Sequence, residues 1–317
     1  MAVETKQDPT KSGSDLWKRE SRARHFRERA VRVLLTVCAY ISVLTTFGIV
    51  FVLFEEAARF FGEVSPVRFL TETQWTAGFS DDPSQAEYGI VVLAWATLLS
   101  TAIACAVALP LGLGAAIYLS EYASTGLRRW LKPALEVLAG VPTIVYGFFA
   151  LTFVTPVLQA TFFPNIGIFN IFAAGLVMGV MIIPTVASVS EDAIYAVPRG
   201  LREGGYALGA TKREVATKIV VPAAISGIVA SFVLGISRAV GETMIVAVAG
   251  GLTPQIASPL QPMQTMTAYI VQVTGGETPR GTIQYETIFA VGLSLFLMTL
   301  VLNMIAYWFV RRYREVY

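Results

Sequence analysis

Residues 190–224 read SEDAIYAVPRGLREGGYALGATKREVATKIVVPAA. The stretch is charged, helix-compatible and punctuated by Pro198 and Pro222, yet it joins two strongly apolar runs, Ile171–Val189 and Val221–Ala249. A charged segment between two such runs reads as a loop outside the bilayer that carries structure of its own. Within it, YALGATKREVATKI (206–219) is rich enough in Ala, Leu, Lys, Arg and Glu to predict a helix. Held along a membrane surface, that helix would offer a rigid knob to a protein partner.

The rest of the chain fits this setting. Of its 317 residues, 55% are hydrophobic and only 15% charged, too little polar surface for a water-soluble domain of this size. A helix crosses the hydrocarbon in about 20 apolar residues, and six runs qualify: Val33–Phe54, Ile90–Leu113, Leu135–Leu158, Ile171–Val189, Val221–Ala249 and Ile288–Val310. The first has too long a basic leader and too long a core for a cleavable signal peptide. Lysine and arginine set the orientation. Twenty of the 24 fall before the first span, around Arg128–Lys132, between Arg199 and Lys218, or after the last span. The expected fold is therefore an all-α membrane protein with six transmembrane helices and both termini cytoplasmic. A basic tail (1–32) precedes the six-helix domain (33–310), which has an external loop at 55–89 and the quoted loop at 190–220, and a short tail (311–317) follows. The basic tail serves as an orientation anchor or as an amphipathic helix on anionic lipid.

Several chemistries are excluded. Cys38 and Cys105 lie in apolar runs and read as small buried hydrophobes, and His25 is the single histidine, so no zinc or redox-metal site is expected. No G-x-x-x-x-G-K-[ST] phosphate loop occurs, and no nucleophile–base set appears. The chain is not expected to be an enzyme or to need a cofactor; if ATP drives the process, another subunit binds it.

One apolar run holds a pair of charges. In GISRAVGETMIV (235–246), Arg238 and Glu242 extend the helical stripe Gly227–Ser231–Gly235. The small residues permit close helix approach, so the stripe should face protein or a water-filled path. A charge at the bilayer centre costs about 2.5–3.5 kcal/mol on insertion scales, whereas an exposed i,i+4 pair returns about 0.3–0.5 kcal/mol. That imbalance favours a functional role over a packing pair. A guanidinium suits oxyanions such as phosphate, and the carboxylate can hold the arginine or keep anion binding weak. Thr143 and Tyr146, in AGVPTIVYG, would add hydroxyl donors to the path or serve helix packing, and Glu136 is expected near the cytoplasmic interface. Pro110, Pro142, Pro184 and Pro222 break or kink several spans. In the external loop, Phe60, Phe61, Phe69 and Trp75 suggest contact with a binding protein or an interfacial aromatic anchor.

These segments carry a family resemblance. Glu203, Gly209 six residues on, then Ile219, Val221 and Pro222 reproduce the spacing of the EAA loop of ABC-transporter permeases, with Gly204-Gly205 in place of Ala-Ala. Two glycines should weaken or delay that helix by roughly 1 kcal/mol each. The resemblance implies that Glu203, Gly204, Gly205, Ala207, Leu208, Gly209, Ala210 and Thr211 form the coupling segment that docks on an ATPase, with Glu203 as its acidic start and Gly209 as the turn after its first helix. SRAVGETM, LPLGLGAAIYLSEYA (109–123), LEVLAGVPTIVYGFFAL (135–151), SVSEDAIYAVP (188–198), QTMTAYI (264–270) and YETIFAVGLSLFL (285–297) further resemble phosphate permeases of the PstC type. That likeness implies Arg238, Glu242 and Thr243 on the substrate path. It also implies a PstA-type permease partner, two PstB-type ATPases carrying the ATP, a PstS-type phosphate-binding protein, and location in the bacterial inner membrane. Sulfate and molybdate permeases are the nearest alternative, although Thr243-Met244 favours phosphate; a proton-coupled carrier using Glu242 is a second.

Overall fold

The computed structural model describes residues 11–77, 86–276 and 278–312, with side chains between Arg27 and Trp308. The amphipathic reading of the basic tail, His25, and the charges from Arg311 onward fall outside the described side chains. The helices are α1 (Lys11–Glu63), α2 (Pro66–Thr71), α3 (Ile90–Ile117, continued by a wider turn to Tyr122), α4 (Thr125–Ala139), α5 (Thr143–Thr161) and α6 (Ile171–Tyr195). They continue as α7 (Arg199–Ala207), α8 (Lys212–Ala223), α9 (Ile225–Val240), α10 (Met266–Gly275) and α11 (Ile283–Arg312). Among the described residues there is no strand, only an isolated antiparallel bridge between Trp75 and Tyr88.

Five helices are long and apolar enough to cross a membrane: α1 over Arg27–Glu63, α3 with its extension, α5, α6, and α11 over Ile283–Trp308. A sixth is a broken pair, α8 and α9, which meet at 72°. The described residues thus hold five such helices, or six spans with the bent pair counted as one, and two of the expected spans differ in form. The third does not begin at Leu135. Residues 125–139 form a separate amphipathic helix that buries no residue, and the chain breaks at Gly140–Pro142, where proline cannot donate a helical bond and disfavours helix at the residue before it. The fifth is not one helix from Val221 to Ala249: it turns at Ala224, stops at Val240 and resumes only around Met244.

The chain divides into two compact units, residues 1–55 and 56–317. The described residues of the first, from Lys11 on, are helix, where Thr45 and Thr46 donate their hydroxyls to the carbonyls of Ile41 and Ser42 and so need no other partner. Cys38 is exposed there, contrary to expectation, while Cys105 is partly buried in the second unit.

The second unit is organised around α6, whose Ala174, Met178, Met181, Ile182 and Val186 are fully or almost fully buried. Close approach is set by absent side chains. A Cβ on Gly179 would lie 2.8 Å from the Ala104 carbonyl of α3, and one on Gly112 would lie 2.7 Å from Val186. The small-residue stripe of α9 does what its spacing predicts. Gly227 meets Ala193, Gly235 meets Ile182 and Val186, and Ser231 shares a hydrogen bond of 2.6 Å with Ser190.

A second core closes the external loop. Phe60 and Phe69 pack edge-to-face, and Trp75 packs at 4.9 Å on Tyr269, whose hydroxyl meets Thr287 at 2.7 Å. Phe60, Phe69 and Trp75 are at most 2% exposed. They face neither a partner nor lipid, because three separated segments bury them against one another; residues 78–85 of this loop lie outside the described residues.

The packing predicts a contrast between two helical glycines. A Cβ at Gly227 would sit 2.4 Å from the Ala193 methyl, whereas nothing lies within 4 Å of one at Gly114. Gly227→Ala should cost about 1–3 kcal/mol through overpacking, and Gly114→Ala should be neutral or slightly stabilising. Thermal unfolding of the two variants in one detergent measures the difference.

Candidate substrate path and coupling surface

Three of the candidate residues, Arg238, Glu242 and Thr243, stand where α9 ends. After Val240 the chain turns at Gly241, and Glu242 leaves the helical stripe. Its Oε1 accepts the backbone N–H groups of Met244 and Ile245 at 3.1 and 3.3 Å, so the carboxylate caps the next helical turn. The Glu242 carbonyl accepts the Thr267 hydroxyl of α10 at 2.7 Å. The expected continuous stripe through Arg238 and Glu242 is therefore interrupted. No ion pair joins them among the described residues, because the carboxylate is directed to the backbone of the resumed helix.

Arg238 continues the α9 stripe as far as α6. Its Nη1 donates to Thr185 Oγ1 at 2.8 Å, with the side chain half-buried. Tyr146 of α5 lies close enough to interact electrostatically with Arg238. Its hydroxyl, however, already donates to the Leu138 carbonyl at 2.8 Å. Thr143, one turn earlier, is half-buried, and its hydroxyl makes no hydrogen bond among the described residues. Thr243 donates to the Gly241 carbonyl at 3.2 Å within the break. Two partners escaped the sequence reading. Thr185 directly follows Pro184, and Thr267 stands in the QTMTAYI segment, but nothing local in either stretch marks it as a partner of residues some 25 to 53 positions away.

The coupling segment is a helix–turn–helix in place of the single helix expected over 206–219. Helix α7 ends at Ala207, and Gly209 takes a φ of +80°, the left-handed conformation that suits glycine. Ala210 N–H then bonds to the Gly205 carbonyl at 3.1 Å and Gly209 N–H to Tyr206 at 3.0 Å, the double bond pattern of a Schellman stop. Thr211 and Glu214 start α8 with a reciprocal capping box. The Thr211 backbone and hydroxyl donors, with Lys218, hold the Glu214 carboxyl down at about 2. The glycine pair does not delay α7, which runs through it: Gly205 is buried, where a Cβ would lie 2.6 Å from Ile219 and 3.0 Å from Val215. Glu203, Gly204, Ala207, Gly209 and Thr211 are exposed, Ala210 is half-buried, and Leu208 at the turn is 90% exposed.

Behind this corner lie two ion clusters. Arg202 Nε and Nη2 bond Glu121 Oε1 at 3.1 and 2.9 Å, while Nη1 and Nη2 bond the Val197 and Ile194 carbonyls at 2.6 and 2.8 Å. Glu191, 1% exposed, pairs with Arg128 and, at 2.9 Å, with Lys132, which also reaches Asp192 at 3.2 Å. The Glu191 carboxylate pushes the Lys132 ammonium above its ordinary value. These pairs attach α4 to α6, which its lack of buried side chains does not.

Residues 108–315 match the family described as binding-protein-dependent transport system inner membrane component. The chain belongs to this family. It is a multi-pass inner-membrane permease subunit of an ABC importer, which works with a substrate-binding protein and leaves ATP hydrolysis to a separate subunit. The permease is 36% identical over 249 residues to the phosphate transport system permease protein PstC of Haemophilus influenzae, covering 73% of this chain and 76% of that one. It is 35% identical over 272 residues to the probable ABC transporter permease protein YqgH of Bacillus subtilis, covering 84% and 86%. Among solved structures, a bacterial ABC transporter that imports alginate matches with a TM-score of 0.62 at 15% identity, over 95% of this chain and all of that one. The MetNI methionine transporter matches at 0.55 and 20%, over 72% and 95%. At these identities the structures speak to the fold alone.

Because nothing lies within 4 Å of a Cβ at Gly209, the cost of substituting it is purely conformational. Gly209→Ala should weaken the corner by about 1–2 kcal/mol, read as faster hydrogen exchange at the amides of Gly209 and Ala210, while Gly204→Ala should leave those amides protected.

Proposed function

We propose that this permease is one membrane half of an ATP-driven importer of inorganic phosphate. Its partners in this reading are a PstA-type permease, two PstB-type ATPase subunits and a PstS-type binding protein. Both termini face the cytoplasm, the side favoured by the lysine and arginine count.

The observation that carries the reading is the state of Arg238. It is half-buried within a span, held by one neutral hydroxyl, with no carboxylate in ion-pair range among the described residues. The rest of its guanidinium fork remains for an oxyanion, the ligand to which its planar geometry is matched. The relatives named PstC in Haemophilus influenzae, Xylella fastidiosa and Mycobacterium tuberculosis support phosphate as that oxyanion.

The arrangement suggests how the ion is bound weakly and released. Phosphate takes Arg238 from Thr185, exchanging a neutral acceptor for a charged one. Glu242, four residues on, keeps a negative charge beside the path and prevents the anion from settling too tightly. Thr143 and Thr243 are the further hydroxyls that this reading places on the path. Tyr146, whose proton is already committed to Leu138, shapes that wall and does not donate. On the cytoplasmic side, Leu208 and the exposed faces of Glu203, Gly204, Ala207 and Thr211 meet the ATPase.

The test is uptake of labelled phosphate into proteoliposomes holding the complete transporter and ATP. Uptake should require ATP, persist in excess sulfate, and fall about 10–100-fold in Arg238→Gln, the loss of charge-assisted hydrogen bonds. Sulfate competition equal to that of unlabelled phosphate would move the permease to another oxyanion. Normal transport by an assembled Arg238→Gln variant would remove Arg238 from the path.

A further inference from the structure

Arg202 makes more directional contacts than any other cation in the coupling region, and it does not point at the exposed docking face. Its side chain is 17% exposed and that of Glu121 is 6% exposed. Four bonds of 2.6–3.1 Å tie α7 to two other elements. One is the end of α3, through Glu121. The other is the last turn of α6, through the Ile194 carbonyl, with the Val197 carbonyl accepting from the turn that follows it. Carbonyls at a helix end lack partners within the helix, and a cation there is favoured by the helix dipole. Arg202 therefore grips α6 at its most receptive end.

At its other end this grip meets Arg238. Helix α6 is continuous from Ile171 to Tyr195. Thr185 lies nine residues before Ile194, or about 13 Å along the axis. Between α6 and α9 the described side chains make two directional bonds, Ser190 with Ser231 and Thr185 with Arg238. Elsewhere Gly227 and Gly235 of α9 let Ala193, Ile182 and Val186 of α6 approach closely.

We infer that Arg202 and Thr185 are the two ends of one lever: motion imposed on the coupling segment passes through Arg202 to α6, and α6 engages or frees Arg238 by way of Thr185. Both are positioning residues, since they act through Arg238. The inference rests on the reading of Arg238 as the group that holds the transported oxyanion.

The test measures coupling, the number of labelled phosphate ions imported per ATP hydrolysed by the complete reconstituted transporter. Arg202→Gln should lower this ratio about tenfold, within the range of allosteric coupling energies, while the assembled complex still hydrolyses ATP. Arg202→Lys, which can keep the Glu121 pair but not the fork on the two carbonyls, should recover part of it. Thr185→Val, at a half-buried position within the span and away from the docking corner, should lower the ratio as well. The double variant Arg202→Gln/Thr185→Val should be no worse than the worse single, because both cut the same route.

An unchanged ratio in either assembled single variant overturns the lever, as does a double variant whose losses multiply. A loss of uptake strictly proportional to lost ATP hydrolysis also overturns it, since that reports damaged docking. If Arg202→Gln fails to assemble, Thr185→Val and Arg202→Lys decide. Wild-type failure to import phosphate would strike the proposed function instead, and the same ratio would then be read with the oxyanion that is transported.

Discussion

A chain inside hydrocarbon must pair every backbone amide it exposes by leaving the helix, and this permease leaves the helix at Gly241–Thr243. The two-amide cap made by Glu242 Oε1, with the Thr267 hydroxyl on the Glu242 carbonyl, closes that break. Much else follows from the closure. It lets α9 stop with Arg238 in its last turn, frees the arginine from its neighbour in sequence, and anchors the break to α10. It also gives Gly147 of α5 a backbone to pack on, at Met244 and Ile245. A glutamate in a span is costly, and here much of that cost is offset by the amides it satisfies. In the function proposed for this permease, structural need and transport chemistry coincide in that one side chain.

The end that carries the α7–α8 corner obeys a different rule. There the elements are short, and charge holds them as much as apolar area does. Val197, Val215, Val220 and Ile228 form a small core, but α4 has no buried side chain and depends on Arg128 and Lys132 meeting a sequestered Glu191. A buried carboxylate with two cationic partners is strongly destabilised by removing either partner. The same ions that report orientation by their number thus determine, by their pairing, which helices stay attached.

How far the sequence could be read depended on the kind of order involved. Apolar runs reveal spans because bilayer thickness imposes a length, and the Gly227–Ser231–Gly235 stripe reveals its α6-facing side because helical period imposes a direction. Breaks were harder. Pro142 and Gly241 were visible, yet whether a proline or glycine kinks a helix or ends it depends on who pairs the freed amides, and those partners come from elsewhere in the chain. Gly205 shows the same limit: propensity marks it as a weakness, whereas contact with Val215 and Ile219 makes the missing methyl a requirement. Arg238 stood out as a charge in an apolar run. Thr185 and Arg202 did not, since a threonine in a helix and an arginine in a charged loop are ordinary until the fold brings them to their partners.

The aromatic core of the external loop has a consequence for biosynthesis. Phe60, Phe69, Trp75 and Tyr88 leave the ribosome early, but the surface that completes their packing comes from Met266, Tyr269, Ala290 and Val291. About 180 residues separate Tyr88 from Tyr269, which at ordinary elongation speeds means roughly 10–40 s during which those rings stand without their final neighbours. For that interval the rings lack the apolar surface that α10 and α11 bring to them, so completion of this core is a late event in maturation.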